Sequence, residues 1–269
     1  MIRRLLARLL EWVSANPTRH RIFLIGLAVL LTALLYGGPR LFRLLWRAAD
    51  SRGQAFTRWF TGSEEEREAL VTVRREACPG APFILPADGY IGLLYGDSRS
   101  PYSAAHLHQG IDIFSAGPPG VTPVYAAYDG YVSRESGWIS ALIQRVPDDP
   151  LQPGRQIWLY YTHMANEAGT EIYIDEAFPP GTREVFVEQG TLLGYTGNYG
   201  GSHRVAVHLH FSIVLDNGSG GYSNELEFDN TVDPSRYLGM AVNYACAPEV
   251  VACTEEPLCR DAVLGRGGG

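Results

Sequence analysis

Two short runs of the sequence concentrate residues that could bind a metal ion. The first is His106-Leu-His-Gln-Gly-Ile-Asp-Ile-Phe114, and the second, about a hundred residues later, is Val207-His-Leu-His-Phe-Ser212. Together they supply a His-x-x-x-Asp and a His-x-His. A catalytic zinc site needs three nitrogen or oxygen ligands from the protein and an open fourth position. The two runs together therefore predict a metal site.

The spacing within each run indicates how the ligands could meet. Residues two apart in a β-strand point to the same face, about 6–7 Å apart, so His208 and His210 face one site. One of them can bind the metal while the other contacts the reacting group. His108 and Asp112 would lie about 13 Å apart in a straight strand, and the β-branched residues around them disfavour a helix. A bend is therefore required, and Gly110 permits one.

Charge is distributed unevenly along the 269 residues, which are 46% hydrophobic and can bury one core with appendages. Residues 1–58 contain ten arginines against two acidic residues, a net charge of +8, whereas the remainder has a net charge of −15. The acidic globular part argues against nucleic acid as a partner. The basic N-terminal part is suited to a membrane surface.

The N-terminal region has the pattern of a membrane anchor. Residues 1–13 follow an amphipathic helical period, residues 22–36 contain no charge, and residues 39–49 could form another amphipathic segment. We expect a transmembrane signal anchor, and a cleaved signal peptide is the alternative. Five arginines lie on each side of the apolar stretch, so the positive-inside rule does not settle the orientation.

Four cysteines lie outside the segment that carries the histidines. Their even number allows two disulfides with three connectivities, which fits an oxidising, extracytoplasmic location; free buried thiols are the alternative. None has Cys-x-x-Cys spacing, so a cysteine zinc site is not expected. The four are Cys78, Cys246, Cys253 and Cys259.

From residue 81 the sequence changes to short β-type runs separated by glycine and proline. The predicted strands are residues 90–94, 111–114, 123–127, 131–134, 139–145, 157–162, 184–187 and 207–215. Asp129-Gly130 predicts a hairpin between the third and fourth of these. The fold class is thus all-β, a compact antiparallel sheet or sandwich domain after an N-terminal transmembrane helix. Its expected boundaries are 1–48 for the anchor, 49–80 for a linker, 81–240 for the β domain and 241–269 for a cysteine-bearing tail.

Several motifs in this region, taken in order, resemble the lysostaphin-type (LytM-like) zinc metallopeptidases that cut peptidoglycan cross-bridges. The resemblance covers most of residues 95–238. It is carried by Tyr95-Gly96, Arg99 and Pro101, His108-Gln-Gly-Ile-Asp112, Thr122-Pro-Val-Tyr-Ala126, Asp129-Gly-Tyr-Val132, Tyr161-Thr-His-Met164, Val187-Glu-Gln-Gly190, Gly194, Thr196-Gly197, His208-Leu-His-Phe211, Val232-Asp-Pro234 and Tyr237-Leu238.

The resemblance implies a role for each candidate residue. His108, Asp112 and His210 would bind Zn²⁺, and His163 and His208 would be uncoordinated groups that handle protons. Tyr102, six residues before His108, would stabilise the reaction intermediate. Two further histidines are expected to stay outside the site: His106, which has no aspartate four residues later, and His203, a loop residue.

The implied protein is a zinc metalloendopeptidase that hydrolyses peptide bonds of peptidoglycan, held by its anchor in the cell membrane with the catalytic domain in the periplasm or at the cell exterior. A non-hydrolytic regulator of the same fold that activates another wall hydrolase is the alternative, and a general protease is a third. Compared with the family, Ser202-His-Arg-Val-Ala206 is an insertion, and the loops 147–155 and 166–183 are extended. If they border the substrate groove, they could change specificity or access. Protein partners are not indicated.

Overall fold

The computed structural model describes residues 51–77, 79–99 and 101–245. By internal contacts the chain divides into two units, residues 1–57 and 58–269, and the second contains all of the described strands. The predicted anchor segments and all four cysteines lie outside the described residues. Within the described ranges, no helix is long and apolar enough to cross a membrane.

Eleven strands are present in the described part of the chain. They are β1 (Tyr90–Leu93), β2 (Ile111–Phe114), β3 (Pro123–Tyr125), β4 (Gly130–Ser133), β5 (Leu142–Val146), β6 (Ile157–Thr162), β7 (Val185–Val187), β8 (Leu192–Tyr195), β9 (Gly197–Gly200), β10 (His203–Leu215) and β11 (Thr231–Val232). The described helices are short: α1 (Ser51–Thr61), α2 (Glu64–Glu68), a 3₁₀ turn (Phe228–Asn230) and α3 (Ser235–Leu238).

Nine of the strands form one antiparallel sheet. Its order is β1-β2-β10-β6-β5-β4-β7, and β9 and β11 also pair with β10. The other two strands, β3 and β8, form a small antiparallel sheet of their own. The long strand β10 is therefore the centre of the large sheet, with four different partners. The prediction of an antiparallel β domain is confirmed.

The side chains of β10 alternate between the main core and the opposite face of the sheet. Leu209, Phe211 and Ile213 are fully buried in the main core, together with residues of β2, β6 and the small sheet. The alternate residues, which include His208 and His210, point to the other face. Each buried side chain of this kind contributes about 1.5–3 kcal/mol. A register slip of one residue would turn the core side chains outward, so the hydrophobic pattern fixes the register.

One local prediction is wrong: Asp129-Gly130 does not connect a hairpin. Strand β3 pairs with β8 in the small sheet, whereas β4 pairs with β5 and β7 in the large one. The Asp129 carboxylate instead accepts a hydrogen bond from the Gln189 backbone, at 2.7 Å. Gly130 is needed because a Cβ there would lie 2.5 Å from the Arg145 carbonyl oxygen. The glycine therefore reflects close strand packing rather than a turn.

Helix α2 lies within residues 49–80, which the sequence analysis expects to be a linker. Its first turn has a capping box, in which the Ser63 backbone donates to the Glu66 carboxylate at 2.8 Å and the Ser63 hydroxyl accepts from the Glu66 backbone at 3.3 Å. A box of this kind satisfies two amide groups that a helix start otherwise leaves unpaired. None of the residues of α2 is buried.

The extended loop at residues 147–155 is held by a buried carboxylate. Asp149 is fully buried, and its Oδ2 atom accepts hydrogen bonds from Arg155 Nε and from the Tyr237 hydroxyl, each at 2.8 Å. Its other oxygen accepts from the Leu151 backbone at 2.9 Å. The loop is thereby fastened to α3, the last helix of the β domain.

Asp149→Ala is expected to destabilise the protein by about 2–4 kcal/mol, because it leaves a guanidinium and a hydroxyl without their buried acceptor. The control is the exposed neighbour Asp148→Asn, which retains an oxygen to accept the Gly154 backbone hydrogen bond. Urea unfolding followed by tryptophan fluorescence measures both. Equal midpoints for the two variants would contradict the role of Asp149.

Candidate metal centre

The pairing of β2 with β10 brings the two histidine-bearing runs together. In this antiparallel ladder His210 lies directly opposite Asp112, and His208 lies opposite Phe114. Because opposite residues of such a pair point to the same face, the Asp112 carboxylate and the His210 ring meet on the face away from the core. His208 joins them from two residues earlier, as its spacing predicts.

His108 reaches the same point through a bend. The chain bends at Gln109 and Gly110, just before β2 begins. A Cβ at Gly110 would lie 2.2 Å from the carbonyl oxygen of Phe211, so only glycine fits where the bend crosses β10. The predicted bend is confirmed. The reason for the glycine is close backbone approach, since its φ is not in the left-handed region.

The segment before His108 fixes that residue on both sides. The His108 backbone donates to Asp97 O at 3.0 Å and accepts from the Gly96 amide at 2.8 Å. The His108 Nδ1 atom lies 3.0 Å from Leu94 O. A carbonyl oxygen only accepts hydrogen bonds, so Nδ1 carries the proton and the Nε2 lone pair faces the site. The buried Asp97 is itself paired with Arg99.

Three potential ligand atoms converge from these residues. His108 Nε2 lies 3.1 Å from Asp112 Oδ1 and 3.0 Å from His210 Nδ1, and His210 Nδ1 lies 2.9 Å from Asp112 Oδ1. All three side chains are buried, and together they could hold a metal ion. The edges of a tetrahedral zinc site with ligand bonds of about 2.0–2.1 Å measure roughly 3.3 Å. The cluster therefore has nearly the dimensions that such a site requires.

Hydrogen bonding alone does not satisfy this cluster. His108 Nε2 and the Asp112 carboxylate are both acceptors, and both face His210 Nδ1. That nitrogen can carry one proton and so can satisfy only one of them. A cation between the three atoms satisfies all of them at once. The donor set of two imidazoles and one carboxylate is also one that zinc accepts in catalytic sites.

The electrostatics favour an ionised carboxylate at Asp112 and neutral imidazoles at His208 and His210. Burial opposes ionisation of Asp112, but the surrounding histidines outweigh it and hold the pKa of the carboxyl well below its usual range. Burial lowers the pKa of His210, against its hydrogen bond to Asp112. Burial likewise lowers the pKa of His208, to about 4. Metal binding requires this combination of protonation states.

His163 and His208 stand beside the three ligand candidates. Their rings lie 4.2 Å apart between centroids, and the His163 ring is 6.3 Å from that of His210. The Nδ1 atom of each is 2.7 Å from a backbone carbonyl, Tyr199 O for His163 and Ala206 O for His208. Both therefore carry the proton on Nδ1 and leave Nε2 with a free lone pair. His208 Nε2 lies 3.8 Å from Asp112 Oδ1.

The backbone of His163 is strained. Its φ angle is +74°, a region that residues other than glycine rarely adopt. The strain occurs directly after the end of β6, where the backbone of residues 163–165 packs against Gly197 of β9. A Cβ at Gly197 would lie 2.5 Å from His163 O and 2.2 Å from Ala165 O, and the Asn198 backbone donates to Ala165 O at 2.8 Å. Strain of this kind is typical of functional residues held by their surroundings.

The inserted stretch 202–206 is not a loop. It continues β10 towards the N-terminus, and with β9 it forms a hairpin whose tip is Gly201-Ser202. The hairpin supplies both carbonyl oxygens that orient His163 and His208. The sequence did not reveal these acceptors, since a backbone carbonyl has no residue-type signal. The same holds for Leu94 O, the acceptor of His108.

A cleft of about 510 Å³ opens beside the site. It is lined by His163 and His210, by residues 137–141, by the β9–β10 hairpin and by Glu225 and Leu226. The loops 147–155 and 166–183, both described in full, do not line it. Tyr102 does, and its ring stacks on that of His108 with centroids 4.5 Å apart. Burial, followed by the nearby carboxylates, raises the pKa of Tyr102, so its hydroxyl keeps its proton.

The two remaining histidines are outside this group. His106 is exposed, and its backbone pairs with Ser103 in a small loop. His203 is exposed and is the first residue of β10, so the prediction that it lies in a loop is wrong, although it stays outside the site as expected. The structure thus brings together His108, Asp112, His163, His208, His210 and Tyr102, and leaves out the two histidines that the sequence set aside.

No family model and no curated protein matches the sequence. Similar solved structures include the catalytic domain of lysostaphin from Staphylococcus simulans, which is 18% identical, with 55% of this chain and 89% of that chain covered and a TM-score of 0.34. Another is whole lysostaphin, at 18% identity, 69% and 60% coverage and a TM-score of 0.36. A zinc containing peptidase from Vibrio cholerae is 18% identical, with 58% and 39% coverage and a TM-score of 0.33.

The lysostaphin type to which the sequence motifs pointed is thus among the similar structures. The chain spans about 60% of the length of whole lysostaphin. With TM-scores below 0.5, the geometry of the site alone supports the interpretation that follows.

Asp112→Ala and His210→Ala are each expected to lose most bound zinc, because each removes one of three ligand atoms. His106→Ala is the matched control and should keep zinc at the wild-type level. Elemental analysis of the purified, dialysed proteins measures the ratio of metal to protein. Full zinc occupancy in Asp112→Ala would show that the assignment of the site is wrong.

Proposed function

We propose that this protein is a zinc metalloendopeptidase of the lysostaphin type that hydrolyses peptide bonds of peptidoglycan. The observation that carries the proposal is the convergence of His108 Nε2, Asp112 Oδ1 and His210 Nδ1 within 2.9–3.1 Å of one another, beside two further histidines and a cleft. A metal site used only for structure is closed by a fourth protein ligand. The described residues provide three, and one of these, His210, lines the cleft.

His108, Asp112 and His210 would hold the zinc ion. When bound, zinc would supply Lewis acidity and a water molecule whose pKa is about 7. Asp112 contributes the one negative charge of the ligand set. The carbonyl of Leu94 keeps His108 in the tautomer whose lone pair faces the ion, which is the usual role of a group behind a metal ligand.

His163 and His208 are placed to hold and move protons. Their Nδ1 atoms are committed to backbone carbonyls, so Nε2 is the only ring atom of each that can exchange a proton with the substrate. Either can accept a proton at Nε2 as the nucleophile forms and, once protonated there, can donate that proton to the departing amine. Tyr102 keeps its hydroxyl proton and can donate a hydrogen bond from the rim of the cleft.

The N-terminal sequence supports a membrane-anchored version of this enzyme. Residues 22–36 contain no charge and are flanked by arginines. Peptidoglycan lies outside the cytoplasm, so the proposed substrate requires the orientation that puts the β domain in the periplasm or at the cell exterior. The even number of cysteines fits that location.

His208→Ala is expected to keep zinc and fold but to release muropeptides from purified cell walls about 10²–10⁴-fold more slowly, because one proton-handling group is lost. His210→Ala should lose the metal itself. Full-length protein is incubated with walls, with and without a chelator, and the released fragments are measured by mass spectrometry together with metal content.

Full cleavage by both variants would overturn the enzymatic assignment. So would a wild-type protein that binds zinc and walls without releasing fragments, which is the behaviour expected of a non-hydrolytic regulator. If His208→Ala emptied the metal site and His210→Ala retained zinc, the roles of the two strand neighbours would be reversed.

Alkaline phosphatase fused after residue 245 is expected to be active, and green fluorescent protein fused there is expected to be inactive, because the fusion point lies outside the cytoplasm. The N-terminal segment is expected to remain on the mature protein. Alkaline phosphatase and green fluorescent protein fusions distinguish the two sides, and N-terminal sequencing tests retention. Activity confined to the cytoplasmic reporter would overturn the orientation. A mature N-terminus beyond residue 36 would overturn the anchor alone.

A further inference from the structure

The cleft carries one acidic side chain that has no role in the metal site. Glu225 lines it, and no arginine does. Within the described ranges, no ion pair or hydrogen bond engages the Glu225 carboxylate. Arg183, whose charge acts on Tyr222 as that of Glu225 does, makes two 2.7 Å hydrogen bonds to Glu135 instead. The side chain of Glu225 is only partly exposed, and its charge acts on Tyr160, which lines the same cleft.

Glu225 is held on an ordered turn. The next residue, Leu226, accepts a hydrogen bond from the Gln109 side chain at 2.7 Å and donates one to Asn224 Oδ1 at 3.1 Å. The Asn224 backbone carbonyl in turn accepts from the Asn230 side chain at 3.0 Å. Gln109 directly follows the metal-ligand candidate His108. The position of Glu225 is thereby tied to that of the metal site.

Aromatic rings lie beside this carboxylate. Trp138 and Tyr160 both line the cleft, with ring centroids 5.6 Å apart, and Tyr222 packs on Trp138 at 5.8 Å. The buried guanidinium of Arg134 fixes the Trp138 loop by donating to the carbonyls of residues 138 and 139. Burial, followed by the charge of Glu225, raises the pKa of Tyr160 to about 12, so this hydroxyl stays neutral.

Carboxylates and aromatic faces together recognise organic cations. The carboxylate supplies an opposite charge, and the ring faces attract the cation through their quadrupoles. A cleft with this lining and no cationic arginine disfavours an acidic group and favours an ammonium group. We propose that Glu225, with Trp138 and Tyr160, binds an ammonium group of the substrate peptide and so selects peptides that carry a free amine near the bond that is cleaved.

The sheet register indicates where along the peptide this group lies. Thr162 is opposite the metal-ligand candidate His210, and Tyr160 is opposite Ser212. Tyr160 therefore lies two residues along β6 from Thr162, the neighbour of His210, and the Cα atoms of the two β6 residues are about 6–7 Å apart. An extended peptide advances about 3.3–3.6 Å per residue. A group bound beside Tyr160 is thus within a few residues of the scissile bond. This inference rests on the proposed function only in taking the bound molecule to be the substrate.

Binding to metal-free protein tests the inference without cleavage. Full-length protein stripped by a chelator is titrated calorimetrically with a synthetic peptidoglycan stem peptide that contains lysine, and with versions acetylated on the side-chain amine, on the N-terminal amine or on both. The wild type is expected to bind a peptide with the preferred amine free about fivefold more tightly than the doubly acetylated peptide. The singly acetylated peptides show which of the two amines is recognised.

Glu225→Gln should abolish this preference, because it removes the charge and keeps the shape. The matched control is Glu227→Gln, two residues later, exposed and absent from the cleft lining, which should retain it. Far-UV circular dichroism verifies the fold of both. Equal affinity of the wild type for all four peptides, no binding at millimolar concentration, or a preference that survives in Glu225→Gln would overturn the inference. An amine preference without wall cleavage after zinc is restored would overturn the proposed function alone.

Discussion

Backbone pairing between β2 and β10 places Asp112 opposite His210, and the rest of the site is arranged around that pair. The alternating residues of β10 bury Leu209, Phe211 and Ile213, each contributing about 1.5–3 kcal/mol. The free energy that fixes the register of β10 therefore comes from burial of its core-facing side chains. The opposite face of the strand is then available for polar groups such as His208 and His210. Two buried imidazoles and a carboxylate are costly to desolvate, and the core can offset that cost.

The second level of organisation comes from backbone carbonyls. Three histidines donate a hydrogen bond from Nδ1 to a backbone carbonyl: His108 to Leu94 O, His163 to Tyr199 O and His208 to Ala206 O. Three histidines thereby present Nε2 to the site, whereas His210, without such a carbonyl contact, presents Nδ1. A set of identical side chains acquires different roles because the main chain around each differs. Side-chain chemistry alone would not distinguish them.

Much of this could be predicted from the sequence. The short β-type runs located seven of the nine strands of the large sheet, but neither β9 nor β11, and they placed the start of β10 at residue 207 instead of 203. The His-x-His spacing placed two rings on one face. The bend at Gly110 followed from the distance that His108 and Asp112 had to close. Other features depend on contacts between distant segments. The pairing of β3 with β8 rather than β4, the continuation of β10 back to His203 and the carbonyl acceptors have no local residue pattern. The isolated Glu225 was missed because a lone acidic residue in a loop is ordinary until its neighbours are known.

The hairpin of β9 and β10 has a divided construction. At its base, Gly197 is pressed against the carbonyls of His163 and Ala165, where no side chain fits. At its tip, a Cβ on Gly201 would meet no atom within 4 Å. Insertions at the tip would therefore lengthen the wall of the cleft without disturbing the base. Loop tips of this kind are where proteins tolerate added residues. The length of the hairpin tip could therefore change to suit another substrate, while Tyr199 O at the base continues to orient the imidazole of His163.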